Sequence, residues 1–76
     1  MIETDYRGWH ILMEFDRDEQ AGKDRCWPRV RSPDGVEERI GDAPLAGPRP
    51  ALTLQAFAQA RRWIDRQFMA ELGRGR

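Results

Sequence analysis

The clearest alternation of apolar and polar residues lies near the start of the chain. Within residues 7–16, every second position is apolar: Trp9, Ile11, Met13 and Phe15. A period of two residues places such side chains on one face of a β-strand and the intervening ones on the other. The pattern therefore predicts a strand over residues 7–16 whose second face, which includes His10, is open to solvent.

A second alternating stretch, residues 25–32, leads into a turn and a third strand. Pro28 cannot donate to a ladder, so it predicts a sheet edge or a bulge at this point. A tight-turn sequence follows: Ser32-Pro33-Asp34-Gly35. Proline presets φ at the second turn position and glycine accepts positive φ at the fourth. We therefore predict a hairpin whose returning strand spans residues 36–41, with Val36 and Ile40 on its inner face.

The rest of the chain divides into a segment rich in chain breakers and a long stretch without them. Residues 41–52 contain five glycines and prolines, which predicts a connector without helix or central strand. Thr53 is a good helix N-cap and Gly73 stands where a C-cap glycine belongs. We therefore predict a helix over residues 54–72 and a frayed tail over residues 73–76.

These elements together predict one α+β domain over residues 1–76. In this β-β-β-α arrangement, a single C-terminal helix packs on one face of a three-stranded antiparallel sheet. The apolar side of the helix, which includes Phe57 and Ile64, would face the sheet. A chain of 76 residues buries only about 60–65% of the surface that its unfolded form exposes, so we expect modest stability. Because the single Cys26 cannot form an internal disulfide, self-association is the remaining means of support.

Charge and composition restrict the classes of partner. Thirteen basic and thirteen acidic residues give zero formal charge, without the basic excess that most nucleic-acid binders show. Residues 1–24 are mainly acidic and residues 25–76 mainly basic, which predicts a dipole. Twelve of the thirteen basic residues are arginine, a bias typical of a GC-rich genome. The acidic start and the lack of a long apolar run predict a cytoplasmic protein that does not contact membranes.

Candidate residues for catalysis or metal binding are few. Cys26 is expected on the inner face, where a free thiol behaves as a small hydrophobic group, and His10 is expected to be a lone surface histidine. The first loop is acidic but lacks the spacing of a calcium loop: Asp16, Asp18, Glu19 and Asp24. The sequence therefore predicts a non-enzymatic protein with no metal and no cofactor.

The strongest functional signal is a group of aromatic and arginine residues. Trp27, Arg29 and Arg31 alternate along the second strand, and Arg39 of the third strand is expected on the same open face. Side chains of this kind can stack on bases and contact phosphates. The alternative is ordinary cross-strand pairing, with Trp27 covering its neighbours and the arginines pairing with nearby carboxylates.

The order of these features resembles a known DNA-binding layout. The likeness lies in Tyr6-Arg7-Gly8, in Trp27-Pro28-Arg29-Val30-Arg31 with Pro33, and in Thr53-Leu54-Gln55-Ala56-Phe57-Ala58-Gln59-Ala60 leading to Ile64-Asp65. Over residues 6–65 the chain resembles AP2-type DNA-binding domains and, in outline, integrase arm-binding domains. Those families have three antiparallel strands followed by a helix and lay the sheet in the major groove.

The resemblance implies DNA contacts at four positions: Arg7, Trp27, Arg29 and Arg31. His10 stands where the AP2-type family usually has a further arginine. Small HicB-like antitoxins are also similar, because they combine a short sheet with a helix and have a turn like that of residues 32–35.

Two functions are therefore open from the sequence. The first is nucleic-acid binding through the open sheet face by five residues: Arg7, Trp27, Arg29, Arg31 and Arg39. The second is a protein interaction or adaptor module, in one form a homodimer, motivated by zero net charge and by Leu12 and Trp27 exposed on an uncovered sheet. Salt distinguishes them, because phosphate-driven binding weakens by orders of magnitude from low to moderate salt.

Overall fold

The structure, a computed structural model, describes residues 1–74, which form five strands and one helix. The bounds are β1 Ile2–Tyr6, β2 Trp9–Asp18, β3 Lys23–Arg31, β4 Glu37–Arg39, β5 Leu45–Gly47 and α1 Arg49–Arg74. The sheet is antiparallel with strand order β1-β2-β3-β4, and β5 pairs with β3 beyond the end of β4. The predicted α+β class with a C-terminal helix is confirmed, but the sheet has two more strands than the three predicted.

The first of the added strands, β1, forms a hairpin with β2. Arg7 and Gly8 have positive φ values of 54° and 82°, as in the two-residue type I′ turns that match the twist of paired strands. The predicted strand start at residue 7 is therefore wrong, because residues 7 and 8 form the turn. A strand signal was present in β1, where the two acids Glu3 and Asp5 alternate with less polar residues.

The loop between β2 and β3 is shorter than predicted, because only residues 19–22 connect them. The N–H of Gly22 donates to the Asp18 carbonyl at 2.8 Å, and φ of Gly22 is 65°. The Asp18 carboxylate accepts the N–H groups of Gln20 and Ala21. This local hydrogen bonding closes the hairpin, so the flanking charged residues belong to the strands.

The predicted turn at residues 32–35 is confirmed. The Ser32 carbonyl accepts the N–H of Gly35 at 2.9 Å, and the Ser32 hydroxyl accepts the N–H of Val36 at 3.1 Å. β4 is shorter than the predicted strand over residues 36–41. Val36 still belongs to the turn and is 58% exposed, whereas Ile40 is buried.

Pro28 lies in an interior strand of the sheet, so the predicted bulge is wrong, and the predicted edge exists only locally, where β3 has no partner strand on one side of Pro28. It pairs with Met13 in an unbroken β2–β3 register. The Pro28 carbonyl accepts the N–H of Ile40 at 3.0 Å. Since the N and C=O of a strand residue point to the same side, the proline nitrogen faces the gap between β4 and β5. The missing N–H therefore costs no ladder hydrogen bond.

The connector predicted for residues 41–52 contains both β5 and the start of the helix. β5 pairs with residues 24–26 of β3 and places Leu45 opposite Cys26. The Pro48 carbonyl accepts the N–H of Leu52 at 2.9 Å, which starts α1 one residue later. Pro50, in the first turn of α1, is tolerated because the N–H that proline lacks would have no helical partner at this position.

Both predicted helix caps are wrong. Thr53 lies inside α1, where its hydroxyl donates to the Arg49 carbonyl at 3.1 Å. Gly73 has no positive φ and continues the helix to Arg74. The predicted tail over residues 73–76 is therefore helical at its first two positions, and residues 75–76 lie outside the described part. Within residues 1–74, no helix combines the length and apolarity needed to cross a bilayer.

The core lies between α1 and the inner face of the sheet. Its buried members are Ile11, Met13, Cys26, Val30, Ile40, Leu52, Ala56, Ala60 and Ile64. The two alanines allow the helix backbone to approach the sheet closely. Ile64 is fully buried, while Phe57 is partly buried and packs against the core. The predicted inward side of the helix is therefore confirmed.

Candidate interaction surface on the open sheet face

The sheet face that points away from α1 contains four of the five residues selected from the sequence. Because Cys26 and Val30 of β3 lie in the core, the alternating side chains of Trp27, Arg29 and Arg31 point to the opposite face. Arg29 pairs with Arg39 of β4 in the strand register, so Arg39 lies on that face too. We call this surface the open face.

Arg7 lies elsewhere, in the turn between β1 and β2 beside the helix. Its guanidinium is 3.4 Å from the Asp65 carboxylate of α1 and lies over the rings of Tyr6 and Phe68. The Tyr6 hydroxyl donates to the same carboxylate at 2.9 Å. These contacts join the first hairpin to α1, so Arg7 does not act together with the arginines of the open face.

Arg29 is neutralised by carboxylates of the open face itself. Its guanidinium forms a salt bridge with Glu14 on β2 and lies 3.8 Å from the Glu37 carboxylate on β4. All three side chains are half-buried or exposed, so water screens these pairs and each contributes about 1 kcal/mol or less. For Arg29, the structure therefore contains the cross-strand pairing with carboxylates that the sequence offered as the alternative to phosphate contact.

Trp27 is covered by a cation. The guanidinium carbon of Arg39 lies 4.9 Å from the centroid of the Trp27 ring, within the range of a cation–π contact. A nucleobase could stack on this side of the ring only by displacing Arg39.

Leu12, expected to be exposed on the open face, is 3% exposed. Its neighbours across the strands are Glu3 on β1 and Arg29 on β3. Both side chains are long enough to cover a leucine with their methylene groups. The centre of the open face is therefore an apolar residue under a layer of charged side chains, which corrects the expectation of an exposed Leu12.

Charge on the open face is sorted by strand, a feature that the sequence reasoning missed. β1 and β2 place five carboxylates there: Glu3, Asp5, Glu14, Asp16 and Asp18. β3 places four bases there: Lys23, Arg25, Arg29 and Arg31. We call β1–β2 the acidic half, and β3 together with Arg39 the basic half. Finding this from the sequence would have required the strand register, because the two sets become neighbours only when the β2–β3 hairpin forms.

Ion pairs join the two halves along the boundary between β2 and β3. Arg25 donates two hydrogen bonds of 2.8 Å to the Asp16 carboxylate. These bonds lower the pKa of Asp16 and raise the pKa of Arg25, because each favours the charged form of its partner. A one-residue slip would move these charges to the core face, so the pairs also specify the strand register.

His10 lies within the acidic half, so it is not a lone surface histidine. Its Nδ1 is 2.6 Å from Asp5, and its Nε2 is 3.5 Å from Glu3. The hydrogen bond to Asp5 raises the pKa of His10, with a smaller contribution from Glu3. Protonated His10 therefore partly neutralises the outer edge of the acidic half.

Three charged side chains of the open face are exposed: Glu3, Arg31 and Arg39. No carboxylate in the described part of the chain lies within 4.0 Å of the Arg31 or Arg39 guanidinium groups. At the opposite edge, the Glu3 side chain is 51% exposed, and the nearest cationic group to it is His10. These edge charges are available to a binding partner.

The two candidate catalytic residues lie on opposite faces of the sheet. Cys26 is fully buried against α1, and burial raises the pKa of its thiol. His10 is on the open face, so it cannot serve as a base for this thiol. Residues 1–74 contain no group of three or more side chains able to hold a metal ion.

A cleft of about 460 Å³ lies between the β3–β4 turn and α1. Its walls are Trp9, Ser32, Pro33, Asp34, Gln67, Phe68 and Glu71. None of these side chains is basic, and the Ser32 hydroxyl is engaged in the turn. The cleft therefore contains neither an anion site nor a nucleophile held by a histidine.

Comparison with known proteins does not test the resemblance to DNA-binding domains. That resemblance rests partly on Arg7 and partly on Trp27, Arg29 and Arg31, which the fold places on different sides of the molecule. It stays a prediction. No protein-family model, no curated protein and no solved structure matches this chain.

Proposed function

We propose that this protein is a non-enzymatic protein-interaction module that binds its partner through the open face. The supporting observation is the division of this face into an acidic half and a basic half. A nucleic acid presents negative charge along its whole backbone, so the acidic half would repel the phosphates that the basic half attracts. A folded protein can present both signs of charge in matching positions.

The balance of charge on the open face supports the same choice. Counting all strands, six carboxylates and five permanently charged bases point to this face, because Glu37 of β4 joins the acids and Arg39 joins the bases. Arg29, one of the arginines expected to contact phosphate, already pairs with two carboxylates of the face. A phosphate contact would have to replace these interactions, whereas a protein surface of mixed charge could extend them.

The residue types on the basic half also suit a protein interface. Trp27 is partly buried and lies beside Arg29 and Arg39 on the open face. Tryptophan and arginine are the side chains most enriched at the energetic centres of protein interfaces. Apart from Leu12, the buried residues of the sheet lie on the other face, so binding here would leave the fold intact.

Photo-crosslinking tests the proposal directly. A photoreactive phenylalanine analogue is placed at position 31 on the open face and, in a matched control, at position 62 on the outer side of α1, since both positions are exposed arginines. In cells of the source organism, we expect protease-sensitive adducts of defined mass from position 31 and not from position 62. Nuclease-sensitive adducts, or no adducts from position 31, would contradict the proposal.

Nucleic-acid binding, the other function expected from the sequence, is tested on the same face. Under the proposal, labelled duplex and single-stranded oligonucleotides show no change in fluorescence anisotropy with high-micromolar protein at low salt. Binding that the R29A/R31A double variant weakens, with a salt slope flattened by about one unit per lost phosphate contact, would replace the proposal with the nucleic-acid function.

A further inference from the structure

We infer that the partner of the open face is a second copy of this chain, packed face to face with the two-fold axis parallel to the strands. The inference rests on the proposed function and names its partner. It follows from one property of the open face: its charge pattern is complementary to itself under one rotation and repulsive under the other.

The direction of the two-fold axis decides which halves meet. A two-fold axis that lies between the two faces and parallel to the strands reverses the strand order. It places β1 of one copy over β4 of the other, and β2 over β3. The acidic half of each copy then lies over the basic half of the other. An axis perpendicular to the strands, within the plane between the faces, would place acidic half over acidic half. Electrostatics therefore favours the parallel axis.

The central row of the open face shows this match residue by residue. Cross-strand pairs connect four residues in line across β1, β2, β3 and β4: Glu3, Leu12, Arg29 and Arg39. A rotation about an axis parallel to the strands reverses the row without moving it along the strands. Glu3 of each copy then lies over Arg39 of the other, which gives two equivalent ion pairs at the outer edges.

The charges at the ends of this row are exposed and available. The Glu3 side chain is 51% exposed, and no carboxylate of residues 1–74 lies within 4.0 Å of Arg39. The same rotation places Asp16 over the second copy's Arg25 and Asp18 over its Lys23, because these residues are also register partners.

One row of the face does not match itself and limits the interface. The row of Asp5, His10, Arg31 and Glu37 has a carboxylate at each end and two basic side chains between them, so its reversal places Asp5 over Glu37 and His10 over Arg31. The favourable contacts therefore lie in the other rows of the open face. These run from the row that contains Glu3 and Leu12 to the row that contains Asp18 and Lys23.

The size of the face is that of a weak dimer. β2 and β3 are paired over nine rows, which corresponds to about 30 Å at about 3.3 Å per residue, and three to four strands are about 15 Å wide. The footprint of roughly 450 Å² per copy is below the about 800 Å² typical of stable complexes. We therefore expect a reversible equilibrium between monomer and dimer rather than a permanent dimer.

Charge reversal at the two ends of the central row tests the geometry. Sedimentation equilibrium of the whole chain should show a monomer–dimer equilibrium that E3R and R39E each weaken by about tenfold or more, because each places like charges opposite one another. An equimolar mixture of E3R and R39E should form a heterodimer, and the E3R/R39E double variant should dimerise like the unmodified chain. R62E, on the outer side of α1, is the matched charge control and should leave dimerisation unchanged.

Three results would overturn the inference: a monomer at about 1 mM protein, a dimer that E3R and R39E do not weaken, or a mixture of these variants that remains monomeric. Circular dichroism of each variant checks that the fold is retained. The same photoreactive analogue placed at position 27, which pairs with Glu14 in one of the favourable rows, separates this inference from the proposed function. An adduct of twice the chain mass supports both, an adduct with another protein overturns self-association alone, and the absence of any protein adduct overturns both.

Discussion

His10 links the electrostatics of the open face to pH. Its pKa in the folded state is raised from 6.5, mainly by the hydrogen bond to Asp5. Protonated His10 therefore stabilises the fold fully below about pH 6.5, and this stabilisation is lost as pH rises through the higher pKa of the folded state. The free energy of unfolding from urea denaturation should accordingly be lower at about pH 8 than at about pH 6.

The matched variant for this prediction is D5N, which removes the main cause of the raised pKa and should flatten the dependence over that interval. Asp16 does not titrate between about pH 6 and pH 8, because Arg25 lowers the pKa of this carboxyl below its usual value. An equally steep dependence in D5N would show that another group is responsible.

Gln59 has the one buried side-chain acceptor without a hydrogen-bond partner in the described part of the chain. Its Oε1 is buried and has no hydrogen-bond partner, and a buried polar atom of this kind costs about 1–3 kcal/mol. Gln59→Met retains the length of the side chain without this acceptor. We therefore expect a gain of about 1 kcal/mol in the free energy of unfolding, measured by chemical denaturation.

Gln55→Met is the control for this substitution, because Gln55 lies on the same helix but is exposed. It should change stability by less than about 0.5 kcal/mol. Destabilisation by Gln59→Met would indicate that the amide group makes a hydrogen bond that the structure does not contain.

At the scale of elements, the packing of α1 on the sheet depends on a narrow line of residues. The line consists of four residues at intervals of four, each fully buried in the core: Leu52, Ala56, Ala60 and Ile64. Phe57, expected from the sequence to share this role, is only partly buried, and Arg61 lies over its ring at 4.9 Å. The fully buried contacts of α1 with the sheet are therefore made by aliphatic side chains.

This difference gives a prediction about two substitutions in α1. Ile64→Ala should lower the free energy of unfolding by about 2–5 kcal/mol, because it leaves a cavity in the core. Phe57→Ala should cost less than that, since part of the ring is already in contact with water. Thermal denaturation of the two variants measures the order, and a larger loss for Phe57→Ala would show that the ring is more deeply packed than the structure indicates.

At the scale of the whole molecule, zero net charge results from two opposite surfaces placed side by side. Residues 1–24 include the acidic half and residues 25–76 include most of the basic half, so the asymmetry along the chain becomes an asymmetry across the sheet. A neutral protein with this arrangement has a strong local field on one face but little net attraction for polyanions. The proposed interaction with a second copy uses this field directly.

The elements that sequence analysis located correctly depend on local signals. β2 follows from its alternating apolar residues, the turn at residues 32–35 from proline and glycine preferences, and the inward side of α1 from its helical period. In each case, the conformation is favoured by residues within one turn or a few strand positions of one another. The sequence also showed that residues 1–24 are mainly acidic and residues 25–76 mainly basic.

Tertiary structure decided the features that need partners distant in the chain. Pro28 fits a central strand because β4 ends and β5 begins beside it, and β5 itself is a strand only because it pairs with β3. The position of Arg7 depends on Asp65 of α1. The two charged halves likewise exist only in the folded hairpin, where the register brings acids of β2 next to bases of β3. Sequence patterns report which face a residue prefers, whereas the neighbours across that face are set by strand pairing, which brings distant segments of the chain together.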